Sequence, residues 1–328
     1  MNRVQHSRRS GLRGLAVLAL AAATPFVAWA QAYPDKPIRF LVPYPPGGGT
    51  DVIARIVQQK FSTLLGQQVV IENKGGAGGS VGTEVVAKSP ADGYTVLFTL
   101  SSHTINPAIF KKMSYDTLKD FEPVGIVASL PQILVAHPQF PANTLAEMTA
   151  LAKAKPGLAF ASVGNGSPGH LAGAMQALRT QTQMTHIPYK GGGPAMTDVM
   201  GGQVPTLWVS IPAAAQFVKT GKVKALAVST VKRSAAFPNV PTVQEAGIPD
   251  FEVDSWYAMF VPAKTPRAVI DRLNKALNEV VADPEIKEKL LAQGAEGVGG
   301  TPEKLGQTVA AELPKWAKLA KDANINAD

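Results

Sequence analysis

The chain has no cysteine among its 328 residues. That excludes disulfides, thiolate metal sites, a cysteine nucleophile and a lipidated cysteine at a processing site. Histidine is scarce as well, with five in all, and no two are spaced to ligate a metal from one helix face. The sequence contains no G-x-x-x-x-G-K-[ST] phosphate loop and no H-E-x-x-H zinc motif. No run of Lys or Arg is interleaved with aromatics, so nothing points to nucleic acid. No apolar run approaches the roughly 20 residues a membrane span needs. No metal, cofactor or nucleic-acid partner is expected.

What is present begins with a secretory signal. Arg3, Arg8, Arg9 and Arg13 precede an apolar stretch from Leu15 to Ala23, and Ala28-Trp29-Ala30 forms a small-x-small cleavage site. Cleavage after Ala30 would leave about 300 residues in the periplasm. The segment from Ser7 to Arg13 partly matches a twin-arginine signal, with Gly11 where such signals prefer Phe. Removing the four signal arginines lowers the formal charge from +8 to +4, which mildly favours anionic small molecules.

Three stretches share one architecture, an apolar strand running into a Gly-rich corner and then a helix. The first is Ile38 to Val42, then Pro43-Tyr44-Pro45-Pro46-Gly47-Gly48-Gly49-Thr50-Asp51. The second runs from Leu158 through Gly164-Asn165-Gly166-Ser167-Pro168-Gly169-His170. The third runs from Thr185 through Pro188-Tyr189-Lys190-Gly191-Gly192-Gly193-Pro194. Glycines let a ligand approach the backbone, and N–H groups at a helix start suit an anion. Thr50 or Asp51 is the expected N-cap of the first helix. A fourth candidate lining is Ser101-Ser102-His103-Thr104, at the carboxyl end of the buried strand 94–99.

Gly164 to Gly169 matches G-x-G-x-x-G, but no acidic residue follows at the distance a dinucleotide ribose requires. Ser167 lacks the Gly two residues earlier that a nucleophile elbow needs. A secreted hydrolase using Ser167 and His170 is therefore the weaker alternative to a binding protein. Repeated β–α alternation predicts sheets with parallel strands and helices on both faces. Further expectations are a short helix at 243–246 and a last helix broken or kinked near Pro314.

Taken together, the Tyr44–Asp51 and Glu72–Gly79 loops, Gly166 to His170, Pro188 to Pro194, Val240-Pro241-Thr242 and Gly299-Gly300-Thr301-Pro302-Glu303 resemble the Bug proteins. These are the periplasmic receptors of tripartite tricarboxylate transporters. The resemblance covers essentially the whole mature chain. It implies an α/β, two-lobed, type II-like periplasmic-binding-protein fold, each lobe a mostly parallel sheet flanked by helices. Lobe 1 would hold 31–129 and 229–328 and lobe 2 would hold 130–228, with hinge crossings near Ser129 and Ser229. It implies a non-enzymatic monomer that passes a small organic carboxylate to inner-membrane transporter subunits, or signals to a sensor kinase. Carried over, the site would comprise Tyr44, Gly48, Gly49, Thr50 and Asp51 with Ser102 and His103 from lobe 1. Lobe 2 would add Ser167, Gly169, His170, Tyr189, Lys190, Gly191 and Gly192. Relatives often carry an Asp-Asn pair where this chain has Val209-Ser210, which loses a polar contact favoured by relatives with an amino group on the ligand and leaves a plain di- or aromatic carboxylate open.

Overall fold

A computed structural model describes Met1 and residues 33–325. The signal segment and its cleavage site lie outside the described residues. The first strand, β1 (Ile38–Val42), pairs in parallel with β2 (Val69–Asn73) and β3 (Thr95–Leu100). Every residue of β3 is buried, as its unbroken apolar run requires, whereas β2 alternates as an edge strand does. Between them run α1 (Gly49–Leu65), closed by Gly66 in the left-handed region, and α2 (Ser80–Ala87). The strand β3 leads directly into α3 (Ser102–Ile109).

The element that joins the two lobes is β4 (Phe121–Ala136), 16 residues long. It is one continuous strand. Its first half pairs antiparallel with β9 (Asp254–Pro262) and β10 (Glu296–Gly299), completing the lobe 1 sheet β2-β1-β3-β9-β4-β10. Its second half pairs antiparallel with β7 (Thr206–Ser210) and β8 (Lys224–Val228). In lobe 2, β5 (Leu158–Ser162) pairs in parallel with β7 and with β6 (Met184–Pro188). The helices α4 (Leu145–Ala154), α5 (Pro168–Thr180), α6 (Gly192–Met200) and α7 (Ile211–Lys219) connect these strands. The short sequence EGVG of β10 carries no apolar alternation, so only its pairing with β4 reveals it as a strand.

The return crossing differs from the expected one at Ser229. Beyond β8 the chain stays on lobe 2: Val243 N–H donates to Val228 O, and the Phe251 ring stacks on Trp208 with centroids 6.0 Å apart. The segment 243–246 forms turns rather than a helix. Val243, Ile248, Phe251 and Val253 all belong to the lobe 2 apolar cluster. The chain re-enters lobe 1 only where β9 begins. Ser229 acts beside that crossing: its Oγ accepts from Gln132 N (2.9 Å) and donates to Val253 O (2.7 Å), tying β4 to the approach to β9.

The last three helices are α8 (Arg267–Ala282), α9 (Pro284–Ala292) and α10 (Pro302–Asp322). Asp283 and Thr301 cap the last two through their side chains. The 21 residues of α10 run through Pro314 without a break. Pro314 is exposed, so the carbonyl it leaves unpaired can be solvated. Leu305 and Val309 sit in the lobe 1 cluster, whereas Trp316, Leu319 and Ile325 join the cluster built on lobe 2. Residues 229–328 are thus not confined to one lobe. Among the described residues, no helix is long and apolar enough to cross a membrane.

Candidate functional site

The Gly-rich corners leave the carboxyl ends of β1, β5 and β6, where open α/β sheets bind ligands. Two of them meet across the lobes. The Gly48 backbone faces Gly192, and a Cβ on Gly192 would lie 3.6 Å from Gly48 Cα. Gly49 sits closer still: a Cβ there would lie 2.1 Å from Ser210 Oγ and 2.4 Å from Tyr257 OH. A third contact joins the 75–79 corner to the second loop, where a Cβ on Gly78 (φ +61°) would lie 2.0 Å from Asn165 O. These close approaches describe shut lobes.

Between them lies a cavity of about 20 Å³. Lobe 1 lines it with Tyr44, Gly48, Gly49, Thr50, Leu100 and Ser255, and lobe 2 with Val163, Pro168, Gly192 and Ser210. Gln132, on β4 opposite Ser210, completes the wall. None of these side chains is charged. The N-caps of α1, α6 and α7 are Gly48, Gly191 and Ser210, and none makes a side-chain cap bond. The N-terminal ends of three helices, one from lobe 1 and two from lobe 2, therefore line one small volume, with Gly48 to Thr50, Gly192 and Ser210 in its wall. Helix dipoles place partial positive charge there without a formal cation.

The surrounding bonds fix this geometry. Tyr44 OH donates to Gly78 O (3.1 Å) and shares a short hydrogen bond with Ser102 Oγ. Burial pushes the Tyr44 phenol up, so it stays protonated. Asp51 is not the N-cap the sequence suggested. It lies in the first turn of α1, and its carboxylate reaches back to Gly47 N–H (2.9 Å) while accepting from Arg55 Nε (2.9 Å) and Asn73 Nδ2 (3.0 Å). Burial alone would raise this carboxyl, but the bonds from Arg55, Gly47 and Asn73 outweigh it and hold it below its usual range. Asn73 also donates to Tyr44 O (3.0 Å), so Asp51 clamps the loop that carries Tyr44 to Gly49.

Several expected site residues stand elsewhere. His103 is 1% exposed inside an aromatic cage of Tyr115, Phe121 and Phe260, the last with its centroid 4.5 Å away. Neither ring nitrogen has a partner, and burial lowers its pKa to about 3. The turn from β3 straight into α3 carries it into the lobe 1 core. Ser102 supports Tyr44 from behind. Ser167 caps α5 by accepting from His170 N (3.2 Å), and Gly169 lets that helix press on β7, where a Cβ would lie 2.4 Å from Trp208 O. The His170 ring stacks on His186 at 3.8 Å, beside a separate surface hollow formed with the end of α10. Burial lowers the two to about 4 and about 3. Tyr189 OH donates to Asp198 (2.7 Å), Lys190 is exposed, and Gly191 packs against Pro45. Gln132, Leu100 and Ser255 are cleft residues the sequence pattern did not single out. Their signal was position alone, a strand end or the lobe junction.

A two-lobed α/β protein with a neutral, donor-lined cleft at its hinge is a solute-binding protein. The profile described as "Tripartite tricarboxylate transporter family receptor" matches residues 53–325. Protein BugT of Bordetella pertussis is 39% identical over 316 residues, covering 94% of this chain and 97% of BugT. A UPF0065 protein from the tcbD-tcbE intergenic region of Pseudomonas sp. (strain P51) is 38% identical, covering 98% of this chain and 96% of its own length. Among solved structures, the periplasmic binding protein BugD superposes with TM-score 0.87 at 37% identity, over 90% of this chain and 99% of its own. A Rhodopseudomonas palustris protein solved with adipate gives TM-score 0.87 at 33% identity, over 90% and 99%. MatC from the same species, with bound malate, gives 0.83 at 31%, over 88% and 99%. The chain belongs to the family of tripartite tricarboxylate transporter receptors.

Proposed function

We propose that this chain captures a small organic carboxylate between its lobes and releases it to the membrane subunits of a transporter. One observation carries the reading: three helix N-termini without side-chain caps, drawn from both lobes, converge on one cavity free of charged side chains. A buried carboxylate needs several donors to offset its desolvation. Backbone N–H groups supply them without a full counter-charge, which keeps release possible. The cavity in the shut form holds about one water. Entry of a carboxylate therefore requires the lobes to part about the β4 and β9 crossings.

The absence of acidic side chains from the lining supports a ligand without an ammonium group. The malate and adipate seen with two relatives fit that chemistry. Binding without turnover is supported by Ser167, whose hydroxyl accepts a backbone N–H while the His170 ring is engaged with His186. The proposed location is the periplasm, as a monomer. Calorimetric titration of the mature protein against di-, tri- and aromatic carboxylates tests the reading. Saturable one-to-one binding with unchanged ligand recovered afterwards supports it. Product formation, or binding confined to amino acids, would overturn it.

A further inference from the structure

Tyr257 lies on β9 in lobe 1, fully buried, and is not part of the cavity wall. Its phenol nevertheless reaches Ser210 of lobe 2, donating to Ser210 Oγ at 3.1 Å. Ser210 is the N-cap of α7 but accepts no backbone N–H there. Its lone pair takes the Tyr257 proton instead. Among the described residues no protein acceptor takes the proton of Ser210 itself, and Ser210 lines the cavity.

We infer that Tyr257 is a positioning residue: by donating to Ser210 across the lobe boundary it turns the Ser210 hydroxyl into a donor aimed at the ligand carboxylate. The inference rests on the carboxylate reading above. A hydroxyl can donate or accept, so alone it would discriminate poorly between an anion and a neutral amide. With one of its two lone pairs taken by Tyr257, Ser210 turns its proton toward the cavity, and the bond from Tyr257 polarises that proton further. The phenol and the serine lie on β9 and β7, on either side of β4, so the bond spans the lobe boundary.

The test is a double-mutant cycle on Tyr257→Phe and Ser210→Ala, read by calorimetry with malate and adipate as probes. Tyr257→Phe keeps the ring that stacks on Phe98, so packing is preserved. Each single change should weaken binding about tenfold to a hundredfold, the effect of one hydrogen bond to a charged group. The double variant should bind no more weakly than Ser210→Ala alone. Losses that multiply, or a Tyr257→Phe variant that binds like the parent, would overturn the inference. If the parent binds neither probe, the carboxylate reading fails separately and the lobe-linking role is read without ligand. Spin labels at Gln59→Cys and Lys153→Cys, in a chain with no other cysteine, report the interlobe distance. Tyr257→Phe should then lengthen the mean distance, and an unchanged distribution would overturn the inference.

Discussion

Gly49→Ala burdens closure more than folding. Gly49 opens α1 with a right-handed backbone, so alanine is conformationally free there and if anything favours the helix, by up to about 1 kcal/mol. The new methyl meets two groups: Ser210 Oγ at 2.1 Å across the cleft, and Tyr257 OH at 2.4 Å within lobe 1 itself. Relief at Ser210 requires the lobes to stay apart by more than an ångström there, and relief at Tyr257 a small shift of its ring within lobe 1. Inserting a methyl into such a contact costs about 1–3 kcal/mol, which lowers affinity about 5- to 150-fold. Denaturant unfolding without ligand should lose less than binding does, because in the open form only the Tyr257 contact within lobe 1 remains to be relieved. Calorimetry and denaturation on the same preparation read both effects. Parental affinity in a normally folded Gly49→Ala protein would refute the claim that these contacts define the ligand-bound state.

Three other outcomes follow from the same geometry. Asp51→Ala leaves Gly47 N–H without its acceptor and Asn73 Nδ2 with Tyr44 O alone, and should cost about 1–3 kcal/mol in chemical denaturation, together with some ligand affinity. Its carboxyl is held below the ordinary value of 3.8, so this contribution is intact above that pH and fades as the pH falls below it. His103, His170 and His186 are held neutral, with values lowered from 6.5 to about 3, about 4 and about 3. Unfolding takes up their protons below pH 6.5, so stability should fall there by up to about 1.4 kcal/mol per pH unit for each histidine. His103→Leu should remove one histidine's share of that slope, measured by urea melts between pH 7 and about 4.5. Glu312→Ala strips the shared acceptor from Thr104 Oγ1, Trp256 Nε1 and Trp316 Nε1, bonded at 2.6, 2.9 and 3.3 Å. It should destabilise by about 1–3 kcal/mol and shift the tryptophan fluorescence, since α10 would lose its anchor midway between the lobes.

The strand–loop–helix corners were legible because strand prolines, glycines and helical spacing coincide at each. Gly48, Gly49, Thr50 and Gly192, which the family resemblance named as site residues on those corners, line the cavity. His103 could not be assigned, because a polar cluster after β3 reads the same whether the next turn faces a cleft or a core. His170 and Ser167 look catalytic in one dimension; in space one is a cap and the other a stacked ring. Gln132 and Ser255 lie in strands whose role depends on where β4 and β9 cross, and that pairing spans more than 120 residues of sequence. The return crossing was displaced from Ser229 for the same reason: Phe251 packs on Trp208, and no local pattern announces it. The path of α10 over both clusters depends equally on tertiary packing.

The central claim is that a neutral cleft of backbone donors takes a carboxylate. Titrating the mature protein in parallel with adipate, malate and their uncharged diamides tests it most directly. Micromolar or tighter one-to-one binding of a diacid, with the matching diamide weaker by at least about a hundredfold, is the expected result, because the helix N-termini favour the charged form. Equal binding of diacid and diamide, or tighter binding of the diamide, would contradict the account.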